Sequence, residues 1–337
     1  MPDRNASAFL GLHGWNTAAR TTVAGDASNR RYDRLTTGDG ARAILMDAPP
    51  AKGEDVRPFI AVTGLLRAQG LSAPRILAAD TDAGFLLLED LGDDLFARVI
   101  ATDPSLEQTL YAAATDVLIH LHRAPPPDLP PYDAATMTPL AALAFDWYGA
   151  GASDQSLTQA KAKFEAACAA ALGPLDGHLT ALIQRDYHAE NLLWLPDRDG
   201  VARVGLLDYQ DAMRGHPAYD LVSILQDARR DVSGDIADQM ITRYVTATGT
   251  DRAGFETAYA LLGMQRNMRI IGVFARLSMA YGKPHYVDLI PRVWDHLMTN
   301  LRHPALADIA PLIIGPLPRP TPDILHNLRD KCGSVTL

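Results

Sequence analysis

Apolar positions recur in two different rhythms along the chain. Within the first ninety residues, runs at 21–23, 30–35 and 41–47 are separated by Gly25-Asp26-Ala27-Ser28-Asn29 and by Thr37-Gly38-Asp39-Gly40. Both spacers are turn chemistry, which predicts three strands joined as antiparallel hairpins. After Pro49-Pro50, residues 55–69 carry Val56, Phe59, Ile60, Thr63 and Leu66 at helical spacing, and Gly70 closes the predicted helix. Residues 75–79 and 84–89 predict another strand pair, with Phe85-Leu86-Leu87-Leu88 as a continuous buried run. The order is β-β-β-α-β-β.

Beyond Gly92 the rhythm turns helical. Helices are predicted over 106–122, 159–172, 235–248, 253–281 and 287–301, the first stopped by Ala124-Pro125-Pro126-Pro127. Two short apolar segments, 192–195 and 204–207, flank Pro196-Asp197-Arg198-Asp199-Gly200 and predict a hairpin set among helices. No internal repeat is visible, and the proline-rich chain from Pro311 predicts an irregular tail. The pattern is α+β in two parts: 1–92, a small antiparallel sheet with one helix, and 93–337, mostly helical.

Composition narrows the class. The chain has 337 residues, 47% hydrophobic and 21% charged, which fits about two globular domains and excludes a disordered chain. With 40 acidic against 31 basic residues and a formal charge of -9, it lacks the basic balance of a nucleic-acid binder. Cys168 and Cys332 belong to no C-x-x-C pair, which argues against a zinc site, a redox couple or a disulfide framework. The first fifteen residues have no apolar core of signal-peptide length, and no apolar run reaches the roughly 18 residues of a membrane span. A cytoplasmic protein without nucleic-acid or membrane partners is expected.

The chemistry concentrates in Arg185-Asp186-Tyr187-His188-Ala189-Glu190-Asn191, followed by Asp208 in Leu206-Leu207-Asp208-Tyr209-Gln210-Asp211. Phosphoryl transfer needs a carboxylate to orient the attacking hydroxyl and oxygen ligands for magnesium. Asp186 and Asn191 share one loop, and Asp208 ends the predicted hairpin. Magnesium takes hard oxygens and few protein ligands, which one Asn and one Asp satisfy.

These residues resemble the aminoglycoside phosphotransferase and choline-kinase family, of the bilobal protein-kinase-like fold, most clearly over residues 21–220. The family's loop commonly reads His-Gly-Asp-x-His-x-x-Asn; here Gln184 and Arg185 stand where the first His and Gly are usual. The resemblance implies ATP and Mg2+ as cofactors, Asp186 as catalytic base, and Asn191 and Asp208 as metal ligands. It further implies His188 and Asp220 as supports of the loop, although an Asp opening an apolar helix is also an ordinary N-cap. On the nucleotide side it implies contacts from Ser28, Asn29, Arg30 and Arg31 in the first hairpin, and a hinge at Leu87-Leu88-Glu89-Asp90-Leu91-Gly92, with Glu89 and Leu91. The third strand lacks the family's lysine, and Met46 is near its place. Strand alternation sends Arg30, Tyr32 and Arg34 to one face and Arg31 to the other, so one of the two adjacent arginines faces the cleft. Glu54 or Asp55 is the acidic partner.

Within the family, Met46-Asp47-Ala48-Pro49-Pro50, the 185–193 loop and Gly282-Lys283-Pro284 resemble the bacterial anomeric N-acetylmuramate/N-acetylglucosamine kinases of cell-wall recycling. That implies ATP-dependent phosphorylation of a sugar C1 hydroxyl. Arg266, Asn267, Arg269 and Arg276, on the predicted helix 253–281, are candidate sugar contacts, because cations suit the carboxylate of N-acetylmuramate. The alternative within the class is an aminoglycoside or other small-alcohol kinase, and outside it a catalytically dead binding module or a nucleotide-dependent regulator of a partner. The choice between the two sugars and the oligomeric state stay open.

Overall fold

Five strands build one antiparallel sheet, β1 (Ala19–Val23), β2 (Arg31–Thr36), β3 (Arg42–Asp47), β4 (Ile76–Asp80) and β5 (Phe85–Glu89), in the order β1-β2-β3-β5-β4. This computed structural model describes residues 4–23, 29–153 and 155–335, so Gly25, Asp26, Ala27 and Ser28 of the expected phosphate hairpin lie outside the described residues. Helix α1 (Ala6–Leu12) places Phe9 and Leu10 against Leu35, Ala43, Leu45, Phe85 and Leu87 to form one buried cluster. Met46 pairs with Leu86, and alternation sends both to the opposite face, where they too are buried. This two-sided burial explains the uninterrupted apolar run of β5. Gly84, at φ 73°, brings β5 beside the end of β3: its carbonyl accepts from Ala48 N at 2.9 Å, and a Cβ there would meet the Ala48 carbonyl at 2.1 Å. Helix α2 (Arg57–Ala68) has Pro58 in its first turn and ends before Gly70, at φ 75°.

Four three-residue strands form two ribbons, β6 (Ala181–Ile183) with β9 (Met213–Gly215), and β7 (Leu192–Trp194) with β8 (Val204–Leu206). The chain divides into two compact units, Met1–Val117 with Ala189–Ala212, and Leu118–His188 with Met213–Leu337. The sheet itself ends at Glu89, close to the expected boundary at Gly92, but the first unit continues. Helix α3 (Phe96–Thr102) and the β7–β8 hairpin join it, with Ala97 N donating to Ala189 O at 3.1 Å and Trp194 N to Asp94 O at 2.8 Å. The division falls inside α4 (Glu107–Leu121).

The second unit is helical. Its elements are α5 (Ala134–Leu143), a π-helical stretch (Ala144–Gly149) running into α6 (Ala150–Ala152), α7 (Thr158–Leu172), α8 (Ala218–Leu225), α9 (Gly234–Thr248), α10 (Arg252–Met279) and α11 (Ile290–Asn300). Asp251 caps α10 by accepting from Gly254 N at 2.7 Å. Most of α10 is buried, and at Gly272 it meets the end of α5 backbone to backbone, where a Cβ would lie 2.3 Å from the Leu143 carbonyl carbon. The expected irregular tail is instead partly helical, α12 (Ala310–Ile314) and α13 (Pro322–Asp330). Thr321 caps α13, and Pro322 occupies the first turn, where a missing N–H costs nothing. Proline starts this helix rather than preventing it.

Candidate active site

The β6–β9 ribbon feeds directly into the catalytic loop, since Gln184 follows β6. Arg185 stands at φ 72°, a left-handed conformation that costs a side chain with a Cβ about 1–2 kcal/mol. That angle explains why glycine suits this position. Here the guanidinium lies over the Tyr132 ring, 5.2 Å from its centroid, a cation–π contact that offsets part of the cost. Ser223 Oγ donates to the Arg185 carbonyl at 3.3 Å.

Asp220 holds the loop from below. It is fully buried in the first turn of α8, and its carboxylate accepts from Gln184 N at 2.6 Å and from Arg185 N at 2.9 Å. The carboxylate therefore serves the loop and not the helix end, where His216 Nδ1 accepts from Ala218 N at 3.1 Å. Burial pushes the Asp220 carboxyl up to about 7, against the two amides, with nearby Asp186 adding to the rise. His188 is buried 3.4 Å from Arg229 Nη1; burial, and then the Arg229 charge, push it down to about 4, so it is neutral. A neutral imidazole fits a support better than a proton carrier.

Arg266 and Arg269 of α10 both interact electrostatically with Asp186. Arg266 is buried and donates to the Gln226 carbonyl at 3.1 Å. Arg269 is half-buried, and the Tyr219 and Tyr132 oxygens together with Asp186 outweigh the burial that disfavours its charge. Asn267 is committed elsewhere, its Nδ2 donating to Gln226 Oε1 at 2.8 Å inside the core. Arg276 sits in the last turn of α10, about two turns beyond Arg269. Two of the four expected sugar-contacting residues, Arg266 and Arg269, thus lie within electrostatic range of Asp186. Arg229, Tyr132 and Tyr219 escaped the sequence reading, although Asp227-Ala228-Arg229-Arg230 directly after an apolar helix was an available signal.

In the first unit, Asn191 precedes β7 and Asp208 follows β8. Leu192 pairs with Leu206, and Leu207 N donates to Asn191 O at 3.0 Å, so both ligand candidates sit at one end of the hairpin. Asp208 is at φ 56° and accepts from Gln210 Nε2 at 2.9 Å. Tyr209 fixes the segment to α2, with its hydroxyl 2.8 Å from Thr63 Oγ1 and its ring stacked on Phe59. Among the described residues no three His, Cys, Asp or Glu side chains gather as a metal cage. One carboxylate and one amide at a hairpin end are hard oxygen donors of the kind magnesium takes, and few in number, which suits it.

The remaining nucleotide-side candidates fall into distinct places. Asn29 N donates to Glu54 Oε1 at 3.0 Å, and Arg30 Nε lies 3.2 Å from Glu54 Oε2, whereas Asp55 is turned to Arg57. Arg31 pairs with Asp33 and donates to Thr22 Oγ1 at 3.2 Å. The Glu89 side chain is engaged by Arg75 N and by Arg198 at 3.0 Å. Burial raises its carboxyl, but the Arg75 amide and the two guanidiniums hold it below the usual range. Leu91 packs over Gly205 of β8, where a Cβ would lie 3.2 Å from its methyl.

Sheet-and-helix architecture, an aspartate-bearing loop and a hairpin end with two oxygen donors define a phosphoryl-transfer enzyme. The profile of the phosphotransferase enzyme family matches residues 20–256, and the chain belongs to that family. It is 40% identical to an N-acetylmuramate/N-acetylglucosamine kinase of Caulobacter vibrioides, covering 90% of this chain and 93% of that one. With a kinase of the same name from Pseudomonas aeruginosa it shares 34% identity, covering 86% of each. Among solved structures, a choline/ethanolamine kinase family protein from Mesorhizobium loti superposes with a TM-score of 0.61 at 14% identity, over 96% of this chain and 98% of that one. The fold is kinase-like.

Proposed function

We propose that this enzyme transfers the γ-phosphoryl group of ATP to the C1 hydroxyl of N-acetylmuramate and N-acetylglucosamine, in the cytoplasm, as a step of peptidoglycan recycling. The observation that carries this reading is the 40% identity, along nearly the whole length, to a kinase named for those two sugars. Magnesium bound with ATP neutralises charge developing on the phosphates. Asp186 accepts the proton of the sugar hydroxyl as its oxygen bonds to the γ-phosphorus and the bond to ADP breaks. Asp220 and neutral His188 fix the loop, and the guanidiniums of Arg266 and Arg269 lie within electrostatic range of Asp186. Asn191 and Asp208 would supply the protein's oxygen ligands to that magnesium.

The test is ADP release from ATP-Mg with N-acetylmuramate, N-acetylglucosamine, choline and kanamycin in turn, with NMR of the product. Turnover with either sugar, yielding a sugar 1-phosphate, is expected. Turnover with choline or kanamycin alone would overturn the substrate assignment and leave the phosphotransferase.

A further inference from the structure

A kinase-like nucleotide site needs a cation on the phosphates, and β3 offers none at the expected position: Met46 is there, buried, between Leu45 and Asp47, and the strand's one cation, Arg42, is exposed at its opposite end, paired with Thr36. The strand register shows where a replacement can stand. Tyr32 pairs with Met46, so their side chains share one face of the sheet, and Arg30, two residues before Tyr32, returns to that face. Arg31 pairs with Asp47 and shares the opposite face with Asp33.

We infer that Arg30 is the phosphate-binding cation of this enzyme, aimed by Glu54, so that a function expected on the third strand has moved to the entry of the second. Three observations carry this. Arg30 is the cation drawn to both acidic groups of this end: its Nε is 3.2 Å from Glu54 Oε2 and its Nη1 is 3.9 Å from Asp208 Oδ1, with 13% of its side chain exposed. Glu54 also accepts from Asn29 N at 3.0 Å, so one carboxylate fixes the backbone entering β2 and orients the guanidinium leaving it. The competing cations are committed or remote: Arg34 is held by Asp90 and Asp93, Arg31 is 61% exposed and bound to Asp33, and the Lys52 side chain is exposed.

The long Asp208 contact has a chemical meaning. At 3.9 Å it is an ion pair without a hydrogen bond, worth little and readily exchanged. When Asp208 turns to magnesium, the planar guanidinium can exchange carboxylate for phosphate oxygens, which it matches bidentately. Glu54 stays on Nε throughout. The inference rests on ATP use and is independent of which hydroxyl is phosphorylated.

The test is binding of adenosine, ADP-Mg and ATP-Mg by calorimetry to the wild-type enzyme and to Arg30→Ala, Glu54→Gln, Arg31→Ala and Lys52→Ala. Loss of a charge-assisted contact to phosphate predicts that Arg30→Ala weakens ADP-Mg and ATP-Mg by about 10- to 100-fold, with adenosine affinity unchanged. Retained adenosine binding reports an intact fold. Glu54→Gln should weaken the same two ligands by a smaller factor, and Arg31→Ala and Lys52→Ala should leave them as in the wild type. Wild-type ADP-Mg affinity in Arg30→Ala, or a phosphate-dependent loss in Arg31→Ala or Lys52→Ala, overturns the assignment. Failure of the wild type to bind ATP-Mg would overturn ATP use itself, a distinguishable outcome.

Discussion

At the hairpin end of the first unit, Arg30, Glu54 and Asp208 are partly open to solvent and meet through ion pairs of 3.2 and 3.9 Å. Beneath the catalytic loop of the second unit, Asp220, His188 and Arg266 are buried, and Asp220 is bound to two backbone amides. The two sets carry similar residue types with opposite physical consequences. The 3.9 Å contact of Arg30 with Asp208 is too long for a hydrogen bond, contributes about 0–1 kcal/mol and can be exchanged for a ligand, whereas a buried carboxylate cannot be removed without stranding its partners. One region is built for partners that come and go, the other for a geometry that must not change.

The largest effect belongs to the residue that the rigid region presents. Asp186→Ala should lower turnover by about 10²- to 10⁴-fold while nucleotide affinity is retained. Near-normal turnover would remove the reason for the rigid frame. Next in size, Asp220→Ala leaves the Gln184 and Arg185 amides without an acceptor and should cost about 3 kcal/mol in urea unfolding. Asp208→Ala should change stability by less than about 1 kcal/mol yet abolish magnesium-dependent ADP binding. Equal destabilisation by the two substitutions would erase the contrast.

Acidification probes the buried side as a whole. His122, His188 and His216 are each pushed by burial down to about 4 from an ordinary 6.5. The unfolded chain takes up these protons below about pH 6.5 and the folded chain does not, so stability present above that pH is lost as the pH falls toward 4. Asp220 works the other way, because its raised carboxyl gains a proton in the folded state between about pH 7 and 3.8. With three groups against one, the thermal midpoint should fall over this window, and His216→Gln should flatten the fall. A midpoint that rises on acidification would contradict the buried neutral histidines. The smallest change is expected from Arg185→Gly: relief of the left-handed strain and loss of the Tyr132 contact are each on the order of 1 kcal/mol and opposed, so the net shift in unfolding free energy should stay below about 1 kcal/mol.

The sheet strands were legible to within two residues because alternation and turn chemistry agreed at each hairpin. Strands β6 and β9, three residues each, are too short to show a period. Helix α5 is hidden by alanine-rich composition and an internal Pro139, and α13 by proline density, although Thr321-Pro322 is a helix-start signal. At the site, the hairpin between Asn191 and Asp208 was legible from its two apolar runs and turn, while the roles proposed for Asp186, Asn191 and Asp208 came from the family resemblance. Alternation separated Arg30 from Arg31 but could not say which side was which until the pairing of Tyr32 with Met46 fixed the register. Arg229 beside His188, and Tyr132 beneath Arg185, are 41 and 53 positions away from their partners, beyond any local pattern.

The backbone angle at Arg185 also bears on how such enzymes are found. A search pattern that demands glycine before the aspartate passes over this chain, although the torsion that glycine serves is retained. What the loop preserves is a left-handed step into Asp186, and the letter that fulfils it is free to drift wherever an aromatic ring stands ready to hold the substitute.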